Sequence, residues 1–249
     1  AEVAAQVVSA LNDGRLGLAL QPVVRTDTRA TAFHEALCRL SLPDGTVIAA
    51  GDFIETAERL GIIRLIDHRT LDLALAELRA DPDLALSINV STSSALDGTW
   101  FARLVGQIRR DRRLASRLIV EITETMAIAN LQRAVAFVQS VRDLGCRVAI
   151  DDFGAGHTSF RNLRALGVDI VKIDGCFIER IAENEADRFF VSTLVSLARH
   201  VGLEVVGERV SREADAAVLA AIGVDYLQGH LFGMTMAGDT SRHVRVARG

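Results

Sequence analysis

The chain has 249 residues, 49% of them apolar, with three prolines and a formal net charge of −4; it is long enough for one large core and lacks the excess of cations that non-specific binding of DNA or RNA needs. Cys38, Cys146 and Cys176 are too few and too scattered for a disulfide framework or a zinc motif, and they read as small buried hydrophobes in a reducing compartment. No apolar run is long enough to span a bilayer and the N-terminus lacks the basic-then-apolar layout of a signal peptide, so a single cytoplasmic domain over residues 1–249, without membrane contact, is expected.

Residues 2–12 carry a weak helical period that Asp13-Gly14 breaks. A strand is expected over 16–21, ending at Gln21-Pro22, and a second over 31–40, whose alternation sets Phe33, Glu35, Leu37 and Arg39 on one face. A glutamate in an apolar strand is costly without a partner. Arg39 shares its face, but four residues of extended chain separate the two by about 13 Å, so a metal or another strand has to answer Glu35. Helices are expected over 52–60 and 63–79, then a strand over 84–90 with Ser87, Asn89 and Ser91 on one face. After a helix over 100–110, the basic cluster from Arg109 to Arg113, interrupted by Asp111, reads as a solvated helix end.

The strand expected over 118–122 carries Glu121, with Glu124 three positions on; a helix with Leu131, Val135, Val138 and Val141 on one side follows and is closed by Gly145. Strand 146–150 runs directly into Asp151-Asp152-Phe153-Gly154-Ala155-Gly156. Two adjacent carboxylates before a glycine turn suit a hard divalent cation, which relieves their repulsion while both stay ionised. They also suit a helix N-cap, and on this stretch alone the cap is the simpler reading. A short helix over 160–166 precedes strand 169–173, where Lys172 stands among apolar neighbours and so implies carboxylates nearby. Helix 186–200, strand 204–208 ending in Glu208, helix 212–221 and the closing Tyr226-Leu227-Gln228 complete the series; the tail from Ala237 is polar and weakly specified.

Alternating strands and helices predict parallel strands with helical crossovers, and eight strand-like segments favour a (β/α)8 TIM-type barrel over an open doubly wound sheet. Glu35, Asn89, Glu121, Asp151, Lys172, Glu208 and Gln228 all stand at or near the C-terminal ends of these strands, which in a barrel converge on one mouth. Capping explains Asn89 and Asp151 but not three glutamates and a lysine. Carboxylates, an amide and a lysine without histidine point to Mg²⁺ or Mn²⁺ rather than zinc. Neither a nucleophile elbow nor a phosphate-binding glycine loop is present. Metal-assisted hydrolysis and metal-assisted proton abstraction remain, and Asp151 with Asp152 could serve two ions as in attack on a phosphodiester.

Glu35-Ala36-Leu37, continued by Cys38-Arg39, resembles the signature of the EAL domains, bacterial phosphodiesterases of the second messenger cyclic di-GMP. Gln21-Pro22, Ser87-Ile88-Asn89-Val90-Ser91, Glu121-Ile122-Thr123-Glu124, Asp151-Asp152-Phe153-Gly154, Lys172-Ile173-Asp174 and Gln228-Gly229 follow in family order. The resemblance implies a barrel whose first strand is antiparallel to the rest. It implies one metal on Glu35, Asn89, Glu121 and Asp151, and a second on Asp151 and Asp152, with Glu208 completing the metal and water shell. Lys172 would orient and help deprotonate the attacking water, Gln228 would hydrogen-bond in the same water network, and Gln21 and Arg39 would hold the substrate. Glu124 would brace the glycine loop. The implied reaction is cleavage of one phosphodiester of cyclic di-GMP to linear pGpG, by a homodimer, with regulatory domains attached outside this chain.

The chain departs from the family pattern at three places. The usual Thr-Gly-Tyr after Asp-Asp-Phe-Gly is Ala155-Gly156-His157, followed by Thr158-Ser159-Phe160. Ala-Glu-Gly-Val-Glu appears as Gly207-Glu208-Arg209-Val210-Ser211, and Gly175 replaces the usual arginine after Lys-Ile-Asp. Because the family includes members that bind the nucleotide without turnover, a catalytically weak or inactive cyclic di-GMP receptor is the alternative expectation.

Overall fold

In the computed structural model, which describes residues 2–154 and 160–233, nine strands and ten α-helices alternate along the chain. Helix α1 (Glu2–Asn12) leads into β1 (Leu16–Arg25), β2 (Thr31–Ser41) and a short β3 (Val47–Ala49). Then come α2 (Ala50–Arg59), α3 (Ile63–Ala80), β4 (Leu86–Asn89), α4 (Thr92–Asp97), α5 (Thr99–Arg110), β5 (Leu118–Thr123), α6 (Glu124–Ala129) and α7 (Leu131–Asp143). The second half is β6 (Arg147–Phe153), α8 (Phe160–Leu166), β7 (Ile170–Ile173), α9 (Glu185–His200), β8 (Glu204–Gly207), α10 (Glu213–Ile222) and β9 (Tyr226–Gln228).

Strands β2, β4, β5, β6, β7, β8 and β9 run parallel in that spatial order. β1 closes the ring, pairing antiparallel with β2 on one side and β9 on the other. The result is the predicted eight-stranded barrel with its first strand antiparallel, and the open sheet is excluded. The three-residue β3 hangs outside the ring on β2 and is too short to leave a period in the sequence. β1 also runs past the expected stop. Pro22 lies inside it opposite His34, giving up only its own missing donor, and the ladder is irregular one residue on, between Val23 and Val24.

The strands place two layers inside the barrel. The floor is apolar: Val23, Phe33, Ile119, Ala149, Ile170, Val206 and Tyr226 pack together. Side chains alternate along a strand, so the residue two positions on faces the same way. Two positions beyond Phe33, Ile119, Ala149, Ile170, Val206 and Tyr226 stand Glu35, Glu121, Asp151, Lys172, Glu208 and Gln228. The apolar floor therefore carries a polar layer directly on top of it, and burial of the floor fixes which way that layer points. Outside, the helices seal the barrel with Ile66, Leu71 and Leu75 of α3, Trp100 and Leu104 of α5, Val138 and Val141 of α7 and Val191 and Val195 of α9, all almost wholly buried. Each such side chain contributes roughly 1.5–3 kcal/mol by leaving water. Cys38 and Cys146 are buried, whereas Cys176 is exposed, in the turn after β7 rather than under a helix.

Candidate metal centre

Lys172 is the hub of the polar layer. Its ammonium, about 1% exposed, lies 2.7 Å from Glu121, 2.8 Å from Glu208, 2.9 Å from Asp151 and 3.3 Å from Glu35. Glu35, the residue that needed a partner, has three: its Oε1 accepts from Asn89 at 2.8 Å, and its Oε2 accepts from Gln228 at 2.6 Å and from Lys172. Another strand answers it. Arg39 instead donates to the carbonyl of Cys38 at 2.9 Å and is buried near the rim, where loss of water pulls its pKa below the usual arginine value. Gln21 accepts from Gln228 at 3.1 Å, which ties the antiparallel strand into the same network.

Asp151 and Asp152 are neighbours in a strand and would normally face opposite sides. The β6–β7 ladder is irregular between Ile150 and Phe153, and Asp152 adopts a left-handed backbone with φ 56°. Aspartate tolerates this conformation better than most residues, and a bulge is how a strand re-aims a side chain. As a result Asp151, Asp152 and Glu208 present carboxylate oxygens within 4.8 Å of one another, and so do Glu35, Glu121 and Asp151. Asp151 belongs to both groups. It is not a helix cap: the strand continues past it to Phe153.

Four carboxylates surround one ammonium, so full ionisation would leave three negative charges uncompensated within the cluster, and the acids are pushed toward their neutral forms instead. Burial, together with the nearby Glu35 and Asp151, pushes Glu121 up to about 8 against the opposing pull of Lys172. Burial and the same kind of crowding raise Glu208 well above the ordinary carboxylate range. Burial acts against the Lys172 ammonium, but the four carboxylates outweigh it and hold its pKa well above that of free lysine. Partial burial, then Asp151 and Asp174, raises Asp152 to about 6. One oxygen of Glu121, Oε1, is buried with no hydrogen-bond partner, and so is Oε1 of Gln228. Oxygen-only donors, surplus negative charge and an orphaned buried carboxylate oxygen are what a hard divalent cation requires. The residues fit such an ion.

Glu124, buried at the start of α6, accepts from the backbone N–H of Gly154 at 3.2 Å. Ala155, Gly156, His157, Thr158 and Ser159 lie outside the described residues, as does the tail from Ala237; the Phe160 side chain is likewise not described. The centre opens into a cavity of about 740 Å³, bordered by Gln21, Leu37, Glu179, Arg209 and His230 among others. Arg209, Glu179 and His230 were not legible as site residues, because each follows a strand end by one or more residues in a turn that has no periodicity. Asp174, which shares a hydrogen bond with Asp152, was visible only as part of the Lys172-Ile173-Asp174 triplet.

The chain belongs to the EAL domain family: the model of that family matches residues 4–235. It is 33% identical over 228 residues to the cyclic di-GMP phosphodiesterase PdeF of Escherichia coli K12, covering 90% of this chain and 30% of that protein. It is 33% identical over 236 residues to the cyclic di-GMP phosphodiesterase PdeB of Shewanella oneidensis, covering 92% and 28% respectively. The chain thus spans about a third of the length of the curated relatives it matches. Among solved structures, the PaMucR phosphodiesterase in complex with c-di-GMP is similar at a TM-score of 0.88 and 29% identity, over 96% of this chain and 98% of that one. An EAL domain protein from Listeria monocytogenes follows the same course at a TM-score of 0.83 and 26% identity, over 93% and 92%. Among the described residues no helix is long and apolar enough to cross a membrane.

Proposed function

We propose that this chain hydrolyses one phosphodiester bond of cyclic di-GMP to linear pGpG, using Mg²⁺ or Mn²⁺ at two sites that share Asp151. The observation that carries the reading is the pair of carboxylate triads joined at Asp151 and centred on Lys172. Relatives named as cyclic di-GMP phosphodiesterases, and a similar structure solved with c-di-GMP, supply the substrate. Glu35, Asn89, Glu121 and Asp151 would hold one ion and Asp151 with Asp152 the other, Glu208 completing the shell. Divalent cations held there would supply Lewis-acid polarisation of the phosphate and a lowered pKa for bound water, from 15.7 towards about 7 in the strongest cases.

The chain's own residues do the rest. Gln228 and Glu208 fix the position of the attacking water, and Gln21 and Arg39 hold the nucleotide. With cations on those carboxylates, Lys172 would be held less firmly as an ammonium, and it is the side chain placed to orient that water and accept its proton. The new bond joins the water oxygen to phosphorus, the bond from phosphorus to the 3′ oxygen breaks, and that oxygen takes up a proton. Glu124 keeps the Gly154 turn, and with it Asp152, in place. We read the chain as one catalytic domain that works as a homodimer in the cytoplasm, in a longer protein whose other domains regulate it.

Incubation with cyclic di-GMP and Mn²⁺ or Mg²⁺, followed by chromatography, should yield pGpG. Binding without product would overturn the enzymatic reading and leave a receptor.

A further inference from the structure

Gly175 and Arg209, 34 residues apart in the chain, meet in space. A Cβ built on Gly175 would lie 2.2 Å from Cδ, 2.5 Å from Cγ and 2.7 Å from Cβ of Arg209, so the stem of Arg209 occupies the room that a side chain at 175 would need. Arg209 directly follows Glu208 and takes a left-handed backbone with φ 52°, a conformation costly to any residue that carries a Cβ. Glycine would adopt it freely. The chain therefore holds an arginine where glycine is easier, and holds a glycine where the arginine needs space.

Within the fold the guanidinium acts only at a distance, its charge helping to lower the pKa of Asp174. Arg209 is exposed on the wall of the 740 Å³ cavity and makes no hydrogen bond and no ion pair within 4 Å among the described residues. It is the only arginine or lysine among the residues lining that cavity, whose charged neighbours are the carboxylates Glu35, Glu179 and Glu208. A cyclic dinucleotide brings two phosphates. The metal centre can take one; along this cavity, which Arg39 does not line, the other would face an acidic wall without a cation of its own.

Resting on the phosphodiesterase reading for its substrate, we infer that Arg209 is a substrate-binding residue that holds the second phosphate of the cyclic dinucleotide, the one that is not cleaved, and that Gly175 is the seat that lets it do so. Arginine suits this task because its planar fork matches a phosphate in two-pronged fashion.

Three variants of the purified chain test this. Arg209→Gly removes the guanidinium and accepts the backbone conformation, so it should melt no lower than the parent. Gly175→Ala keeps the guanidinium and displaces its stem. Arg209→Lys keeps the charge and loses the fork. Binding of cyclic di-GMP is measured by calorimetry with Ca²⁺, and turnover with Mn²⁺, using cyclic di-GMP and, in parallel, bis(p-nitrophenyl) phosphate, which has a single phosphodiester. Arg209→Gly should weaken cyclic di-GMP binding about tenfold, flatten its salt dependence and raise KM by a similar factor with kcat within about twofold. Gly175→Ala should follow in the same direction and Arg209→Lys should fall between. Hydrolysis of bis(p-nitrophenyl) phosphate should be unchanged.

An unchanged Kd and KM in Arg209→Gly would overturn the inference while leaving the phosphodiesterase intact. Equal loss on both substrates would overturn it in favour of a role in placing Glu208. If the parent binds cyclic di-GMP without cleaving it, the phosphodiesterase reading fails, and the tenfold loss of binding still decides for or against Arg209. A parent that does not bind the nucleotide overturns both.

Discussion

An oxygen of Asp151 lies 2.9 Å from the Lys172 ammonium, and Asp151 belongs to both carboxylate triads. One side chain thus links the two candidate cation positions to the buried Lys172 ammonium. Asp151→Asn keeps the shape and removes the charge at both positions together. It should lower turnover of cyclic di-GMP by at least about 10³-fold, since Lewis-acid stabilisation is worth several kcal/mol and each 1.4 kcal/mol is a decade. Mn²⁺ titration should show loss of both sites, whereas Asp152→Asn should lose one. Retention of two full-affinity Mn²⁺ sites in Asp151→Asn would remove the shared-ligand assignment.

Lys172 has a structural duty separate from any catalytic one. Its side chain is 1% exposed and balances Glu35, Glu121, Asp151 and Glu208. Lys172→Met leaves these carboxylates facing each other without compensation, which costs about 3–5 kcal/mol for a buried charge cluster. The loss should appear as a lowered Tm in EDTA and should shrink when Mn²⁺ is added, because a divalent cation supplies the missing charge. Thermal melts with and without metal measure both. An equal destabilisation in the two conditions would mean that the Lys172 stem, not its charge, is what the barrel needs.

The raised acids set a pH dependence in the metal-free protein. Glu121 sits at about 8 when folded against an ordinary value of 4.5, with burial as the main cause, and Asp152 sits at about 6 against 3.8. Between the unfolded and folded values the native state binds more protons than the unfolded one, so stability falls as pH rises through that window. In EDTA the melting temperature should therefore decline from about pH 5 to about pH 8, by an amount on the order of a few kcal/mol in stability, chiefly from the buried Glu121, because water screens the exposed Asp152. Saturating Mn²⁺ should flatten the profile. A metal-free Tm that climbs over the same range would contradict the sign.

The sequence made the polar layer legible because two simple periods coincide. Alternation within each strand places Glu35, Glu121, Asp151, Lys172, Glu208 and Gln228 two residues above the apolar floor, and the crossover pattern brings the strand ends together. What escaped depends on departures from those periods. Asp152 reaches the same side as Asp151 only through an irregular ladder and a left-handed φ of 56°. β1 continues through Pro22 to Arg25, since one lost donor does not end a strand paired on both sides. β3 has three residues, too few to show a pattern. Arg209 needed the position of Gly175, a contact between residues 34 apart that neither local segment reveals.

Gly229 governs the far wall of the centre, immediately after Gln228. Its φ is 154°, and a Cβ there would meet the backbone of Val210 at 2.2 Å from its oxygen and 2.3 Å from its nitrogen. Backbone atoms cannot turn away as a side chain can. They also hold the clasp that joins the segment after Glu208 to the end of β9: Val210 donates to Gln228 at 2.9 Å, and its carbonyl accepts from Leu231 at 3.1 Å. Gly229→Ala should push these segments apart, destabilise the fold by about 2–4 kcal/mol and cut turnover by moving Gln228 off Glu35. Gly106→Ala, in the middle of α5 with open space around it, is the matched control and should hold or raise Tm by removing a helix-weakening glycine. Denaturant melts of the two variants beside the parent, read together with the cyclic di-GMP assay, test the clasp; a Gly229→Ala protein as stable as Gly106→Ala would show that the wall can relax and that Gln228 is held by Glu35 and Gln21 alone.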